Sequence, residues 1–276
     1  MLFLHESLCR DRLKHISSIP SETAKQILKS SRCDMTGFRS APYTMRSTWK
    51  KSFADLSKND ELSDNERLGL LQGHFHIDFA LVKDESQRVV RKYLCVDALT
   101  HSSRFAAMSV LRDEGMLVYL PWVSQVELIS LMREIYLVMT LADSNPDLQQ
   151  EQKLALIGMR IYSELEAFAQ PEYLLSRLVG ESVSTDEVHN ARQASKLIIN
   201  ILSSYAPERY AEFMASYGRG IRFIPFREPF IPALKHWSNV ALEQKLTPSQ
   251  INESLISIYT DQQFALTNSM RAGLEP

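Results

Sequence analysis

The chain has 276 residues, 45% of them hydrophobic and 23% charged, with a formal net charge of -2. That is an ordinary globular balance, long enough for one large core or two modest ones, and it excludes wholesale disorder. Cys9, Cys33 and Cys95 form an odd set in no metal-ligand spacing, so neither a disulfide framework nor a zinc cluster is implied, and a reducing, cytoplasmic location is expected.

The first 53 residues are basic, with ten Lys or Arg against four acids, a local +6 that leaves -8 for the remainder. Such asymmetry permits an anionic partner for this part, or its docking on the acidic remainder of the same chain. "MLFLHESLCRDRLKH" has no positive start and no long apolar run, so no secretory signal is expected. "SETAKQILKS" can form a short helix, but "RCDMTGFRSAPYTMRSTWKKS" shows no steady period and reads as an arm. Arg46, Trp49, Lys50 and Lys51 in that arm are candidate partner-binding residues. The expected organisation is a basic, partly irregular segment over residues 1–60 and one α+β domain over 61–276.

Ser63 and Glu66 form a capping box for a short helix that Gly73 closes. Strict alternation then runs from His74 to Val82, with Phe75, Ile77, Phe79 and Leu81 on one face and His74, His76 and Asp78 on the other. "KDESQ" reverses the chain, and Val89 to Asp97 is a second strand of a hairpin. "THSSRFAAMSVLRDEG" is predicted as a helix stopped by Gly115, and "MLVYLPWV" as a third strand whose Pro121 places it at an edge or a strand end.

Ser124 and Glu127 repeat the capping box before a helix apolar around most of its circumference. This stretch, 126 to 142, contains Glu127, Arg133 and Glu134 and falls short of the roughly 20 apolar residues a bilayer demands, so it is predicted to be the most buried helix, and no membrane span is expected. Residues 147 to 169 carry Leu154, Ile157, Ile161, Leu165 and Phe168 on one helical stripe, and Pro171 begins a short helix ended by Gly180. Ser184 with Glu187 launches a helix to about Tyr205, and Pro207 starts another that Gly218 ends. "GRGIRFIPFREPFIP" reads as extended and proline-interrupted, and two more helices finish the chain, the last opening at Thr247 and Pro248. The fold class expected is α+β, predominantly α-helical, with a small antiparallel sheet of about three strands over residues 74–123.

Chemistry has few candidates. His74 and His76 with Asp78 can bind a divalent metal, with His101, His189 or His236 as further ligands, in a metal-dependent hydrolase; the same residues equally suit the solvent face of a strand. An acyltransferase could place a cofactor pyrophosphate at the helix N-terminus after the second strand, although "VDALTHSSRFAA" has no glycine. Cys95 with Asp97 and His101 can be arranged as a thiol and base, or simply packed. "YGRGIRFIPFREPF" interleaves Tyr217, Phe223, Phe226 and Phe230 with Arg219, Arg222 and Arg227, a mixture that can stack on bases or clamp phosphates, or else plug the core with its rings while the arginines reach water. Serine-hydrolase, Walker A, dinucleotide and H-E-x-x-H motifs are absent from the sequence. The function expected is an interaction or regulatory protein that needs no cofactor. A protein is its expected partner, and the basic N-terminal segment leaves a nucleic acid open.

Overall fold

The computed structural model describes residues 75–83, 86–144, 149–178 and 188–243. These form four strands and eight α-helices, an α+β architecture that is predominantly helical. The basic segment 1–60 with its proposed boundary, the capping boxes at Ser63 and at Ser184, and the helix opening at Thr247 lie outside the described residues.

Strands β1 (Phe75–Lys83) and β2 (Val89–Asp97) form the expected antiparallel hairpin, with Phe75 opposite Asp97 and Lys83 opposite Val89. The third strand, β3 (Gly115–Tyr119), does not join it. It pairs instead with β4 (Ile221–Pro225), antiparallel, so the single three-stranded sheet is corrected to two separate two-stranded sheets. The physical reason lies in the faces of β3. Met116 and Val118 join one hydrophobic cluster and Leu117 the other, and all three are fully buried. A strand apolar on both faces needs cover on both sides, which an outer hairpin position would not provide.

The β3–β4 ribbon is thus a wall between two cores. On one side, Met116, Val118 and Ile224 meet α3 (Gln125–Ser144), α4 (Gln149–Ala167) and α8 (Ile231–Glu243), with Trp237 at 0% exposure. On the other, Leu117, Ile221 and Phe223 meet α2 (Ala106–Leu111), α5 (Pro171–Leu178), α6 (Ala191–Ser204) and α7 (Pro207–Ser216). Each fully buried Leu, Ile or Phe contributes roughly 1.5–3 kcal/mol. Gly115 is required where β3 begins, because a Cβ there would collide with the Phe223 ring and the Ile224 carbonyl.

Both outer edges of this ribbon are closed by side chains. Leu117 and Phe223 lie opposite one another with their N–H groups turned outward; Ser195 Oγ accepts from Leu117 at 2.8 Å, and Gln125 Oε1 accepts from Phe223 at 2.8 Å. Gln125 Nε2 also donates to the Phe223 carbonyl at 2.8 Å, so one amide stands in for a neighbouring strand. Pro225 faces Gly115 at another outward position, where its missing donor costs nothing, and its carbonyl accepts from Tyr136 Oη at 2.5 Å. Buried backbone groups of a lone two-stranded ribbon are satisfied this way instead of by more strands.

The capping box at the start of α3 forms as predicted: Ser124 N–H donates to Glu127 Oε2 at 2.8 Å and Glu127 N–H donates to Ser124 Oγ at 3.2 Å. Those bonds hold the Glu127 carboxyl below the usual range. Every residue of α3 from Leu128 to Val138 is buried. Pro207 occupies the first turn of α7, also as predicted.

Two helix expectations change. The helix predicted through residues 100 to 115 is two, α1 (Ala98–Arg104) and α2, broken at Phe105, whose φ of -116° and ψ of 38° leave the helical region. Serines around the break supply competing bonds: Ser103 Oγ donates to the Thr100 carbonyl, and Ser102 Oγ to Ser109 Oγ at 3.0 Å across the bend. Helix α6 begins at Ala191, where Asn190 caps it through a 3.0 Å bond from Gln193 N–H. No described helix is long and apolar enough to cross a membrane.

Candidate functional site

The passage from Tyr217 to Phe230, read from sequence as one basic and aromatic surface, divides sharply in the fold. Phe223 is 0% exposed, and Phe226 and Phe230 are also buried, so their rings belong to the cores and offer no face to a partner. This corrects Phe223 and Phe226 as partner-binding candidates. Alternation along β4 turns Ile221 and Phe223 into one cluster and Ile224 into the other, and the chain continues buried through Phe226.

Two of the arginines are engaged internally. Arg222 donates from Nε to the Val123 carbonyl and from Nη1 to the carbonyls of Arg219 at 2.6 Å and Ile221 at 2.7 Å, fastening the loop before α3 to β4. Desolvation lowers its pKa, with Glu127 and Tyr119 opposing. Arg227 donates to Asp143 Oδ2 and to Thr140 Oγ1 at 3.2 Å, binding the chain after β4 to the end of α3. Their role here is to fix the scaffold. Arg219 is different: it sits exposed in the single turn of 3₁₀ helix at Gly218–Gly220.

Two residues before Arg219 ends a row of ring contacts. The centroids of Tyr205 and Phe213 are 6.0 Å apart at 73°, and those of Phe213 and Tyr217 are 6.0 Å apart at 38°. Tyr205 and Phe213 are half-buried against the second core, whereas Tyr217 is 51% exposed. Arg209 stacks its guanidinium 4.4 Å above the Tyr205 ring and closes that end of the row. The row is positioned by helix geometry. Arg209, Phe213 and Tyr217 recur every four residues and share one face of α7 and its cap, while Tyr210 and Met214 on the neighbouring face anchor the helix in the core. Gly220 completes the turn because a Cβ there would strike the Tyr119 ring. Sequence reading found Tyr217 and Arg219 but missed Phe213, although the four-residue spacing was legible; Tyr205 joins from across Pro207 and carries no local signal.

A second polar cluster is buried between α1 and α3. Asp97 Oδ1 accepts from the N–H groups of Leu99 and Thr100, both at 3.0 Å, and its Oδ2 accepts from Thr100 Oγ1 at 2.6 Å. Arg133 Nη2 donates to the same Oδ2 at 2.6 Å in an ion pair at 0% side-chain exposure on both sides. The N-terminus of α1 is therefore occupied by the protein's own carboxylate, so the acyltransferase expectation gains no anion site there. Asp97 is likewise engaged by α1 and Arg133, and the His101 ring packs 4.6 Å from Phe105.

Next to Arg133 stands Glu134, 2% exposed, with no hydrogen-bond partner on either carboxylate oxygen among the described residues. Burial pushes this carboxyl up to about 7 against the opposing pull of Arg133. Two residues on, burial drives Tyr136 well above the ordinary phenol range, and on α4 it pushes Tyr162 to about 12. Tyr136, a neutral phenol, donates to the Pro225 carbonyl and so pins β4 to α3.

The backbone of His76 and Asp78 lies in β1, opposite Val96 and Leu94, but their side chains, like His74, Arg46, Trp49, Lys50 and Lys51, lie outside the described residues. His189 is exposed just ahead of α6 and His236 is half-buried on α8. Among the described residues, no group of three or more His, Cys, Asp or Glu side chains could hold a metal ion. The chain matches no protein-family model and no curated protein.

Proposed function

We propose that this protein is an interaction or regulatory protein whose described surface takes a macromolecular partner, a protein, on the ring row of Tyr205, Phe213 and Tyr217 and the adjoining Arg219. The observation that supports this reading is the exposure of a large aromatic ring, Tyr217 at 51%, which packs on Phe213 and through it on Tyr205, two residues before the exposed Arg219. Tyrosine and arginine are the residues in which binding energy concentrates at interfaces, because they bring contact area and donors with little conformational entropy to lose. Helix α7 holds the row on a packed core, so the surface is ordered before a partner arrives.

Photo-crosslinking tests the reading. A benzoylphenylalanine at position 217, in cells that make the protein, is expected to give one discrete, protease-sensitive adduct identified by mass spectrometry. The same probe at Arg160, on the exposed side of α4, gives none. A nuclease-sensitive adduct would transfer the site to nucleic acid, and no adduct at 217 would end the reading. The substitutions His74→Ala and His76→Ala are expected to leave the crosslink intact, whereas a metal-dependent enzyme would lose its metal and activity.

A further inference from the structure

We propose that Glu134 is a proton-controlled latch: with its proton in place, α1 and the β1–β2 hairpin stay fastened to α3, and loss of that proton lets them open while the β3–β4 ribbon stays closed. This device goes beyond the partner-binding reading and stands independently of it.

Asp97 and Arg133 form a fully buried ion pair at 2.6 Å, and the buried Glu134 follows Arg133 on the same helix. With both carboxyls ionised, two negative charges would share one guanidinium away from water. The trio is balanced when one carboxyl keeps its proton, and hydrogen bonding decides which. Asp97 accepts from the N–H groups of Leu99 and Thr100, from the Thr100 hydroxyl and from Arg133, whereas neither oxygen of Glu134 has a partner among the described residues. Bonds of that kind favour the ionised form, and a bare buried carboxyl favours the neutral one. Successive helix residues do not face each other, so Arg133 cannot bond Asp97 and turn to Glu134 at once.

The elements packed against α3 offer Glu134 no other counter-charge among the described residues. These are α1, α4, α8 and β4. Arg104 lies at the end of α1 away from Asp97, Arg222 of β4 is bonded to carbonyls, and Arg227 is paired with Asp143. Glu166 bears on Tyr162 and Glu228 on both Tyr162 and Tyr136, while Lys153 and Arg160 of α4 and Lys235 of α8 are exposed. The charge that acts on Glu134 is Arg133, and burial outweighs it, holding the carboxyl up to about 7.

Topology decides what opens. Asp97 is both the last residue of β2 and the cap of α1, so its bond to Arg133 fastens hairpin and helix to α3 at one joint. The hairpin takes no part in the β3–β4 ribbon, and of the described elements outside it, α1 is the one it packs against most. Helix α1 has seven residues and is broken from α2 at Phe105. The ribbon, by contrast, lies between two cores. An ionised Glu134 needs water. Parting the joint beside Arg133 admits it to this stretch of α3 at less cost than unfolding both cores.

The test is amide hydrogen exchange of the full chain at pH 6 and pH 8, corrected for the chemical exchange rate, read at α1 and β2 and, for comparison, at Leu117 and Phe223 of the ribbon. A carboxyl that titrates near 7 when closed and in the ordinary range when open makes the open population at α1 and β2 rise about tenfold between these pH values. These amides are expected to be less protected than Leu117 and Phe223 at both pH values, as a local opening requires. Glu134→Gln should abolish the rise. Imidazoles titrate in the same range, so His101→Asn on α1 and His236→Asn on α8 are the controls and should leave it in place. A second readout is independent of opening: the infrared carbonyl stretch of a protonated carboxyl should be present in the unaltered protein at pH 6, fade toward pH 8 and be missing from Glu134→Gln. No rise, a rise that survives Glu134→Gln or vanishes with either histidine, or an infrared band that does not titrate would each overturn the inference. Amides of α1 as protected as Leu117 and Phe223, and changing in step with them, would overturn it too, because global unfolding alone would then sense Glu134.

Discussion

Strand β4 and the ring row of α7 are built from the same kinds of residue, arginines and aromatics, in one stretch from Tyr205 to Arg227, yet they do opposite things. In β4 and the residues after it, Phe223 and Phe226 are buried, while Arg222 and Arg227 bond to carbonyls and to Asp143. In the row, Tyr217 and Arg219 face solvent. The difference comes from what surrounds them. A strand walled by two cores forces its rings inward and makes its arginines find internal acceptors, whereas a helix with one core behind it leaves a face over. Composition alone therefore does not mark a binding surface; the number of packed sides does.

If that contrast is right, the largest losses of stability lie in the buried framework, its polar pair included. Arg133→Ala should destabilise the protein by about 3–5 kcal/mol, because it strands Asp97 as a buried carboxylate with only its capping bonds. Urea unfolding measures this directly, and a loss under 1 kcal/mol would show that the pair is more solvated than the geometry says.

Glu134 gives the next effect, and its sign is opposite to that of a paired carboxylate. Its folded pKa of about 7 lies above the ordinary 4.5 of an unfolded glutamate, so the folded protein holds the proton more tightly. The carboxyl's contribution is intact below about pH 4.5 and is lost as pH rises through 7, a decline of about 3 kcal/mol over that window. Glu134→Gln should flatten this dependence and raise stability above pH 7. A denaturation series from pH 5 to 8 on both proteins checks it, and parallel curves would sink the assignment.

Smaller still is the closure of the ribbon edge. Gln125→Ala removes the acceptor of the Phe223 N–H and the donor to its carbonyl, and should cost about 1–3 kcal/mol. Amide exchange at Phe223 should quicken more than at Leu117, whose bond to Ser195 is untouched. Equal protection at both amides would mean that Gln125 is not what seals that edge.

How much of this was legible depended on sequence distance. Features settled within one turn of chain were readable: the Ser124 and Glu127 capping box, Pro207 at a helix start, the hairpin, and the all-round apolar character of α3. The pairing of β3 with β4 was not. About a hundred residues separate them, and the prolines of "RFIPFREP" hid a strand that tolerates Pro225 only because that position turns its missing N–H outward. Gln125 and Ser195 close the edges from 98 and 78 residues away, and no local pattern announces such bonds. In the same way, Arg133 in an apolar helix signals that a buried partner must exist without naming Asp97. For the site, the four-residue repeat of Arg209, Phe213 and Tyr217 was present in the sequence, but only the packing of Tyr210 and Met214 shows which face is left open.

The smallest expected effect is the one that separates surface from scaffold most cleanly. Tyr217→Ala and Arg219→Ala, alone or together, should change folding stability by no more than about 0.5 kcal/mol each, since neither side chain completes a core or satisfies a buried group. Tyr217 does lose its ring contact with Phe213, which sets the upper end of that range. Phe223→Ala, six residues on, should cost about 3–5 kcal/mol because it empties a fully buried site against Gly115. Thermal unfolding of the three variants makes the comparison in one experiment. Were Tyr217→Ala to destabilise the fold as strongly as Phe223→Ala, the row would be part of the second core, and its exposure would be a by-product of packing and not a surface kept open for a partner.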